Sequence, residues 1–451
     1  MIITGIIRDK VFNRKLAALA LPIAFQNLML ALVAAADALM LGRFDQNAMA
    51  AVSLATQVQF VQNIILWGIV SGVGVLGAQY WGKGDRAVMG RIFGISVRES
   101  AWICVLFFVA CRCFPEKLML CFAHDRELVR IGAEYLRVAA WSYLLTGVSQ
   151  CYLGIMKVSD HVRESTLISS GAVAINVVLN YFFIFGAFGV PVMGVRGAAL
   201  ATVAARVAEL AWCVALSYRK SYIRLKLSDV ATFDRALSMD FLRYTLPILG
   251  AVLLWGIGFT AYTALMGHLG PDAAAANATA AVARDLMCCV CNGLAGGCGI
   301  MIGNELGAGR LRRGKLYGER SMVLSFMAGG LSTLVILASI PLVSRFIPLT
   351  EQAHRYMVGM FMILSVYMIG RCVCTVVING IFSAGGDTLF DVYSLCVCMW
   401  GIALPCAFLG AFYWKLPVLA VYACTCLDEV GKIPWVMLHY RRCKWVRNIT
   451  R

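Results

Sequence analysis

The first apolar run of the chain contains a single ionisable side chain. Asp37 is the only Asp, Glu, Lys or Arg between residues 16 and 42. An unpaired charge at the centre of a bilayer costs about 2.5–3.5 kcal/mol on insertion scales, so its carboxylate should face protein or water. Such a group can carry H⁺ or Na⁺. The alternative is that Asp37 is simply solvated near the outer interface, close to Arg43. We interpret Asp37 as a candidate ion-coupling residue.

Three uncharged polar residues could complete such a site. Asn176 and Asn180 are four residues apart and therefore share one helix face, and Thr202 adds a hydroxyl on the following span. Side-chain oxygens suit Na⁺, and amides can hydrogen-bond a carboxyl group. The same residues could equally make ordinary interhelical contacts. No firm metal site is predicted, but Na⁺ at Asp37, Asn176, Asn180 and Thr202 is one hypothesis.

A second set of residues lies in the apolar runs of the second half. Arg284, Asp285 and Arg371 are deep in their runs, with no obvious neutralising neighbour for each charge. Trp255 could line a cavity or sit at a lipid interface. These four are candidate cavity residues.

Closely spaced opposite charges and the many cysteines have simpler interpretations. The i,i+3 spacing predicts ion pairs within one helix for Glu134 with Arg137 and for Arg206 with Glu209. The chain has 18 cysteines, most of them in apolar runs, such as Cys291. They are expected to be small buried hydrophobic residues.

The composition identifies an integral membrane protein. Hydrophobic residues make up 61% of the 451 positions and charged residues only 14%, whereas soluble domains carry about 25% charged residues. The net charge of +16 could suggest a nucleic-acid partner. However, the Lys and Arg residues cluster in short gaps between apolar runs, as in cytoplasmic loops, so no nucleic-acid partner is expected.

Apolar runs long enough to cross a bilayer number twelve, which predicts an all-α, multi-pass protein of the plasma membrane. The predicted spans are 16–41, 52–80, 92–113, 131–156, 165–188, 194–217, 243–267, 274–304, 320–344, 356–380, 389–412 and 417–438. Lys and Arg are concentrated in the gaps on the side of the N-terminus. This bias and the even number of spans place both termini in the cytoplasm.

The two halves of the sequence are related by an internal repeat. A shift of 225 residues superposes 21–84 on 246–309 without a gap, and Pro22 then falls on Pro247. We infer a duplication into an N-terminal lobe, 1–225, and a C-terminal lobe, 226–451. Two six-helix lobes around a central cavity are typical of secondary transporters that work by alternating access. No GxxxxGK[ST] loop is present to support an ATP-driven pump.

Several motifs resemble the multidrug and toxic compound extrusion (MATE) family. They are Leu19–Pro22, Gln26–Asn27, Ala36–Arg43, Gly303–Gly309, Ser383–Thr388 and Lys444–Asn448. The resemblance covers nearly the whole chain. It implies a two-lobed antiporter that exports small organic, often cationic and drug-like compounds in exchange for H⁺ or Na⁺, with no cofactor.

The resemblance also implies roles for individual residues. Asp37 would work with Asn176, with an acidic residue one turn later, and with Thr202. Here Asn180 stands where many members have Asp. This departure leaves Asp37 as the sole carboxylate expected in the lobe and puts Na⁺ binding in question.

Two other functions are weighed against this antiporter. A lipid-linked oligosaccharide flippase of the same superfamily is the alternative among transporters. An intramembrane lipid-modifying enzyme would need clustered carboxylates or histidines, but the five His residues are scattered. We therefore predict a transporter and not an enzyme, monomeric, with a small-molecule substrate and membrane lipid as its partners.

Overall fold

The structure is a computed structural model that describes residues 9–123, 125–186, 189, 191–347 and 349–451. The helices of the first half are α1 (Lys10–Phe44), α2 (Gln46–Lys83), α3 (Arg86–Cys113), α4 (Pro115–Leu120), α5 (Arg126–Val158), α6 (Val162–Phe185) and α7 (Gly194–Ser217). A short helix, α8 (Leu227–Ala231), follows α7.

The second half is less regular towards its end. Its long helices are α9 (Arg235–His268), α10 (Pro271–Gly307), α11 (Leu311–Phe346) and α12 (Glu351–Cys374), and α12 continues in π-helical turns over Thr375–Phe382. The next span consists of α13 (Leu389–Leu395), π-helical Cys396–Ala403, α14 (Leu404–Phe408) and π-helical Leu409–Tyr413. The last consists of α15 (Val418–Thr425), α16 (Leu427–Val430) and α17 (Ile433–Arg441).

Ten helices in the described part of the chain are long and apolar enough to cross a membrane. The two remaining predicted spans differ from them for identifiable reasons. Helix α5 is 33 residues long, but its middle carries uncharged polar residues such as Ser142, Thr146 and Gln150, which lower its mean hydropathy. The last span is divided into short helices, and Asp428, Glu429 and Lys432 interrupt its apolar sequence.

Side-chain caps mark where several helices begin. Asp45 accepts a hydrogen bond from the backbone N–H of Ala48 (2.8 Å), and Asp85 accepts one from Val88 (3.0 Å). Each such cap satisfies an N–H group that has no partner within the helix, typically stabilising the protein by about 1 kcal/mol. At the start of α1, the hydrogen bond from the Phe12 N–H and the Arg320 guanidinium lower the pKa of Asp9. These acidic residues therefore fix the first turns of their helices.

Proline interrupts the first helix of each half. Pro22 lies inside α1 and Pro247 inside α9. Proline has no N–H to donate and its ring clashes with the carbonyl group four residues earlier, so it weakens the helix locally. The two prolines are equivalent under the sequence repeat, so the first helix of both halves has the same weak point.

The chain forms two compact units. One is Gln26–Leu242, and the other is Arg243–Arg451 together with the described residues up to Phe25. The boundaries between the units therefore fall within α1 and within α9. The division into duplicated lobes at 225/226 rests on the sequence repeat and stays a prediction.

Small residues allow close helix packing within each unit. A Cβ atom on Gly197 would lie 2.5 Å from the Phe183 carbonyl oxygen, and one on Gly297 would lie 2.9 Å from the Ala20 nitrogen. Such close approach of helices is common in membrane proteins.

One of the cysteines expected to be a free, buried hydrophobic residue is not free. Cys291 forms a disulfide with Cys372, which joins α10 to α12.

Candidate functional site

The carboxylate of Asp37 contacts α6 within the first unit. The Asn180 side-chain N–H donates a hydrogen bond to Asp37 Oδ1 at 2.5 Å, and Asn180 itself is only 1% exposed. Asp37 is half-buried and accepts a hydrogen bond from a protein side chain. This arrangement does not fit the alternative of a carboxylate that is simply solvated near Arg43.

The other predicted residues continue this hydrogen-bonded chain. Asn180 Nδ2 also donates to Asn176 Oδ1 at 3.2 Å, and Asn176 Nδ2 donates to Thr202 Oγ1 at 3.4 Å. The Thr202 hydroxyl in turn donates to the Ala198 carbonyl oxygen at 3.0 Å. Sequence reasoning thus identified four side chains, from α1, α6 and α7, that the structure brings together.

Tyr135 on α5 is a fifth member of this group that sequence reasoning missed. It is 4% exposed, hydrogen-bonds Thr202, and interacts electrostatically with Asp37. A single tyrosine in an apolar span has no distinctive spacing. The only available signal was its position beside the charged residue Glu134.

The predicted ion pair between Glu134 and Arg137 is wrong. Glu134 pairs with Arg196 and Arg137 pairs with Glu116, so both charges reach across to other segments. Intrahelical spacing was misleading here because closer partners come from the neighbouring helices. The predicted pair of Arg206 with Glu209 is confirmed, at 2.5 Å.

The Asp37 site contains one buried acceptor for which the described chain provides no donor. Asn180 Oδ1 is buried and has no hydrogen-bond partner among the residues described. Among the residues that the structure describes, no Lys, Arg or His forms a salt bridge with Asp37. A buried acceptor without a donor costs about 1–3 kcal/mol. A proton on the carboxylate, or a small cation, would remove this deficit.

The candidate cavity residues of the second unit do have charge partners, contrary to the sequence-based expectation. Arg284 donates to Asp285 Oδ1 from Nε at 3.0 Å and from Nη2 at 2.9 Å. Arg371 donates to Glu429 Oε1 at 2.5 Å. Glu429 comes from the last span, far from Arg371 in sequence, so spacing alone could not reveal this pair. The guanidinium of Arg371 also lies over the Trp255 ring, at 5.7 Å from its centroid.

A cavity of about 200 Å³ lies within the second unit. Of the four candidate cavity residues, only Arg284 lines it, and Asp285, Arg371 and Trp255 do not. The lining residues are Phe259, Tyr262, Thr263, Met266, Asn277, Ala281, Arg284, Leu364, Tyr367, Tyr422, Thr425, Cys426 and Asp428.

A polar stripe runs along α2 in the first unit. Thr56, Gln59 and Asn63 fall on one helix face and, with Gln57 and Phe60, line a cavity of about 330 Å³. Amide side chains exposed to lipid would lack hydrogen-bond partners. This face of a membrane-spanning helix is therefore suited to contact water.

Comparison with known proteins decides the family. The MatE family profile matches residues 22–182 and 247–409, which covers most of the chain and both halves of the repeat. The chain belongs to the MatE family. It is therefore a membrane transporter of small molecules and not an enzyme, which confirms the resemblance inferred from its motifs.

Curated relatives align over almost the whole length. The uncharacterized transporter YisQ of Bacillus subtilis is 24% identical, with 98% of this chain and 96% of that protein aligned. A probable multidrug resistance protein NorM of Mesorhizobium japonicum is 26% identical, with 89% of this chain and 87% of that protein aligned.

Solved structures share the fold. A MOP superfamily transporter from Pyrococcus furiosus, described as having a binding pocket of reverse polarity, has a TM-score of 0.86 at 18% identity, with 96% of both chains covered. A Vibrio cholerae MATE transporter has a TM-score of 0.86 at 15% identity, with 96% of this chain and 97% of that chain covered. These matches confirm the predicted all-α fold of twelve transmembrane helices.

Proposed function

We propose that this MatE transporter is a multidrug efflux antiporter, which exports small organic, often cationic compounds in exchange for H⁺ or Na⁺. The observation that carries the proposal is the Asp37 carboxylate. It is half-buried within a membrane-spanning helix, and its hydrogen bond comes from the neutral amide of Asn180. Such a group is an efficient place to exchange one cation for another.

The chemistry at Asp37 follows from charge balance. With the carboxylate ionised, the site carries one net negative charge and attracts a cationic substrate. When H⁺ or Na⁺ enters from outside, this charge is neutralised and the attraction is lost. A ligand can shift a conformational equilibrium only through its different affinity for the two states. Neutralisation of Asp37 supplies that difference, because a neutral group is buried far more easily than a charged one.

The surrounding side chains can accommodate either coupling ion. For H⁺, the amide of Asn180 can rotate to present its oxygen to a protonated Asp37, because an amide group offers both a donor and an acceptor. For Na⁺, the oxygens of Asp37, Asn176, Asn180 and Thr202 are potential ligands. Only one of these four ligands is charged.

Helix α1 can transmit a change in charge at Asp37 to other parts of the molecule as a change in helix conformation. Pro22 interrupts the hydrogen bonding of the helix that carries Asp37. A change in charge at Asp37 would therefore bend or repack α1 near a point that is already weak. The polar face of α2 would form a water-accessible wall of the path by which substrate reaches the Asp37 site.

Relatives named as probable multidrug resistance proteins support export of drug-like compounds. We further propose that the protein works as a monomer in the plasma membrane, in contact with membrane lipid. Both termini would lie in the cytoplasm, since the basic gaps lie on that side.

The test is dye efflux from vesicles that carry the purified protein, under pH and Na⁺ gradients imposed separately. Wild type should export dye under at least one gradient, and Asp37→Asn should lose this coupled export while remaining folded and inserted. Glu351→Gln is a matched control, since the Glu351 side chain is 82% exposed and pairs with the likewise exposed Arg355 on the same helix.

Three results would overturn the proposal. They are wild-type efflux driven by neither gradient, full efflux by Asp37→Asn, and movement of lipid-linked oligosaccharide without dye export. The last result would favour the flippase alternative.

A further inference from the structure

The cavity of the second unit contains charged groups that the proposed ion exchange at Asp37 does not use. Under the 225-residue repeat, Tyr262 on α9 occupies the position of Asp37 on α1. Tyr262 lines this cavity and is 8% exposed, and its hydroxyl has no hydrogen-bond partner in the part of the chain that the structure describes. The second unit therefore has a polar cavity at the position equivalent to the ion site of the first.

Asp428 is the acidic group of this cavity. It is 1% exposed, and among the described residues its Oδ1 atom has no hydrogen-bond partner. The neighbouring residue Glu429 pairs with both Arg371 (2.5 Å) and Lys432 (3.7 Å). Since those cations are held by Glu429, Asp428 keeps a buried carboxylate oxygen available for a donor from a ligand.

Arg284 is the basic group of the same cavity. Its Nε and Nη2 atoms donate to Asp285 Oδ1, while within the described chain no hydrogen bond engages Nη1. The Asp285 side chain is 65% exposed, whereas that of Arg284 is 14% exposed. The guanidinium therefore retains N–H donors that could serve an acceptor on a ligand.

Aromatic side chains complete the walls. The guanidinium of Arg284 lies 4.2 Å from the centroid of the Phe259 ring, and Tyr367 and Tyr422 each interact electrostatically with both Arg284 and Asp428. The volume of about 200 Å³ is below the range of about 300–1,000 Å³ that is typical of pockets for drug-sized ligands. The cavity thus suits a small, partly apolar molecule.

We propose that this cavity binds a small dipolar amine of amino-acid size, with its ammonium at Asp428 and an oxygen acceptor at Arg284. A simple anion would face the buried carboxylate, and a simple cation would leave the Arg284 donors unused. A ligand with an ammonium group and an oxygen acceptor can pair with both Asp428 and Arg284. Its apolar part would pack against the aromatic rings. This site is additional to the proposed exchange at Asp37.

The test uses three probes with the same aromatic body, namely L-phenylalanine, phenethylamine and 3-phenylpropionate. Binding to the purified full-length protein is measured by calorimetry. L-Phenylalanine should bind at least about tenfold more tightly than phenethylamine, because a charge-assisted hydrogen bond at Arg284 is added. 3-Phenylpropionate should not bind. Equal binding of L-phenylalanine and phenethylamine, binding of 3-phenylpropionate alone, or displacement of L-phenylalanine by Na⁺ would overturn the proposal.

Variants assign the two ends of the ligand. Asp428→Asn should weaken both amine probes by about tenfold or more, whereas Arg284→Gln should remove only the advantage of L-phenylalanine over phenethylamine. If Asp428→Asn does not fold, Tyr262→Phe provides the second test, because it removes an unpartnered hydroxyl and should change the affinity for amines. Amine binding that persists unchanged in all these variants contradicts the assignment.

A variant at the protein surface serves as the control for these binding measurements. Glu351→Gln, remote from the cavity lining, should bind all three probes as wild type does. Binding is measured at equilibrium without a gradient. Its failure is therefore distinguishable from a failure of Asp37 coupling, which appears only in gradient-driven efflux.

Discussion

At the scale of single residues, the arrangement around Asp37 is a chain of side chains that each hold the next. Asn180 bonds Asp37 and Asn176, and Asn176 bonds Thr202. Of the four residues Asp37, Asn180, Asn176 and Thr202, Asp37 alone is ionisable. The whole hydrogen-bonded group can therefore respond to the charge of one carboxylate. A change at Thr202 should in turn affect Asp37.

Tyr135 provides a test of this connection. Tyr135→Phe removes the hydrogen bond to Thr202 and should reduce coupled dye efflux by about two- to tenfold, which corresponds to the loss of one hydrogen bond. The measurement is the initial rate of gradient-driven efflux from vesicles.

Tyr143→Phe is the matched control for Tyr135→Phe. Tyr143 is also buried in the core of the first unit, but within the described chain its hydroxyl has no hydrogen-bond partner. It should therefore retain wild-type efflux. Equal losses of efflux in both variants would mean that Tyr135 contributes through packing and not through its hydrogen bond to Thr202.

The four residues of the predicted ion site could be found from the sequence because their signals are local. A lone acid in an apolar run and two amides four residues apart stand out without knowledge of the fold. Asp428 and Glu429 were missed for the opposite reason. The partner of Glu429 is Arg371, 58 residues away, and no spacing rule connects them. Long-range pairing also explains why the expectation of uncompensated charge at Arg371 was wrong.

At the scale of helices, one buried ion pair joins α12 to the last span. Glu429 is 2% exposed and compensates Arg371 and Lys432, which are otherwise among apolar helices. The last span is broken into short pieces around these charges. Its position therefore depends on charge compensation as well as on apolar packing.

Glu429→Gln should destabilise the second unit substantially. Removing one partner of a buried ion pair leaves an uncompensated charge, which typically costs about 3–5 kcal/mol. The measurement is the midpoint of thermal unfolding of the purified protein in detergent, which should fall clearly.

The exposed pair of Glu351 with Arg355 supplies the comparison. Glu351→Gln should change stability by no more than about 1 kcal/mol, as expected for surface ion pairs. If both variants unfold at the wild-type temperature, Glu429 is not the compensating group for Arg371.

At the scale of the whole molecule, composition and apolar runs were enough to predict the fold class. The fold comparison confirms twelve transmembrane helices, although only ten described helices satisfy simple criteria of length and apolarity. Hydropathy could not predict how α5 and the last span would tolerate charges such as Glu134 and Glu429, because their partners, Arg196 and Arg371, come from other segments.

The topology can be tested with reporter fusions. Green fluorescent protein joined after Arg451 should fluoresce, because both termini are expected in the cytoplasm. Alkaline phosphatase inserted after Lys415, in the gap before the last span, should be active because that gap is expected on the opposite side. The reverse pattern of the two reporters would show that the orientation is inverted.

The most direct test of the central claim is competition at equilibrium between substrate and coupling ion. Binding of the cationic dye rhodamine 6G to the purified protein is followed by fluorescence polarisation while the medium is acidified or Na⁺ is added. Wild type should lose dye affinity with at least one of the two ions, and Asp37→Asn should respond to neither. Dye binding that is independent of both ions in wild type, or that responds equally in Asp37→Asn, would contradict exchange at this carboxylate.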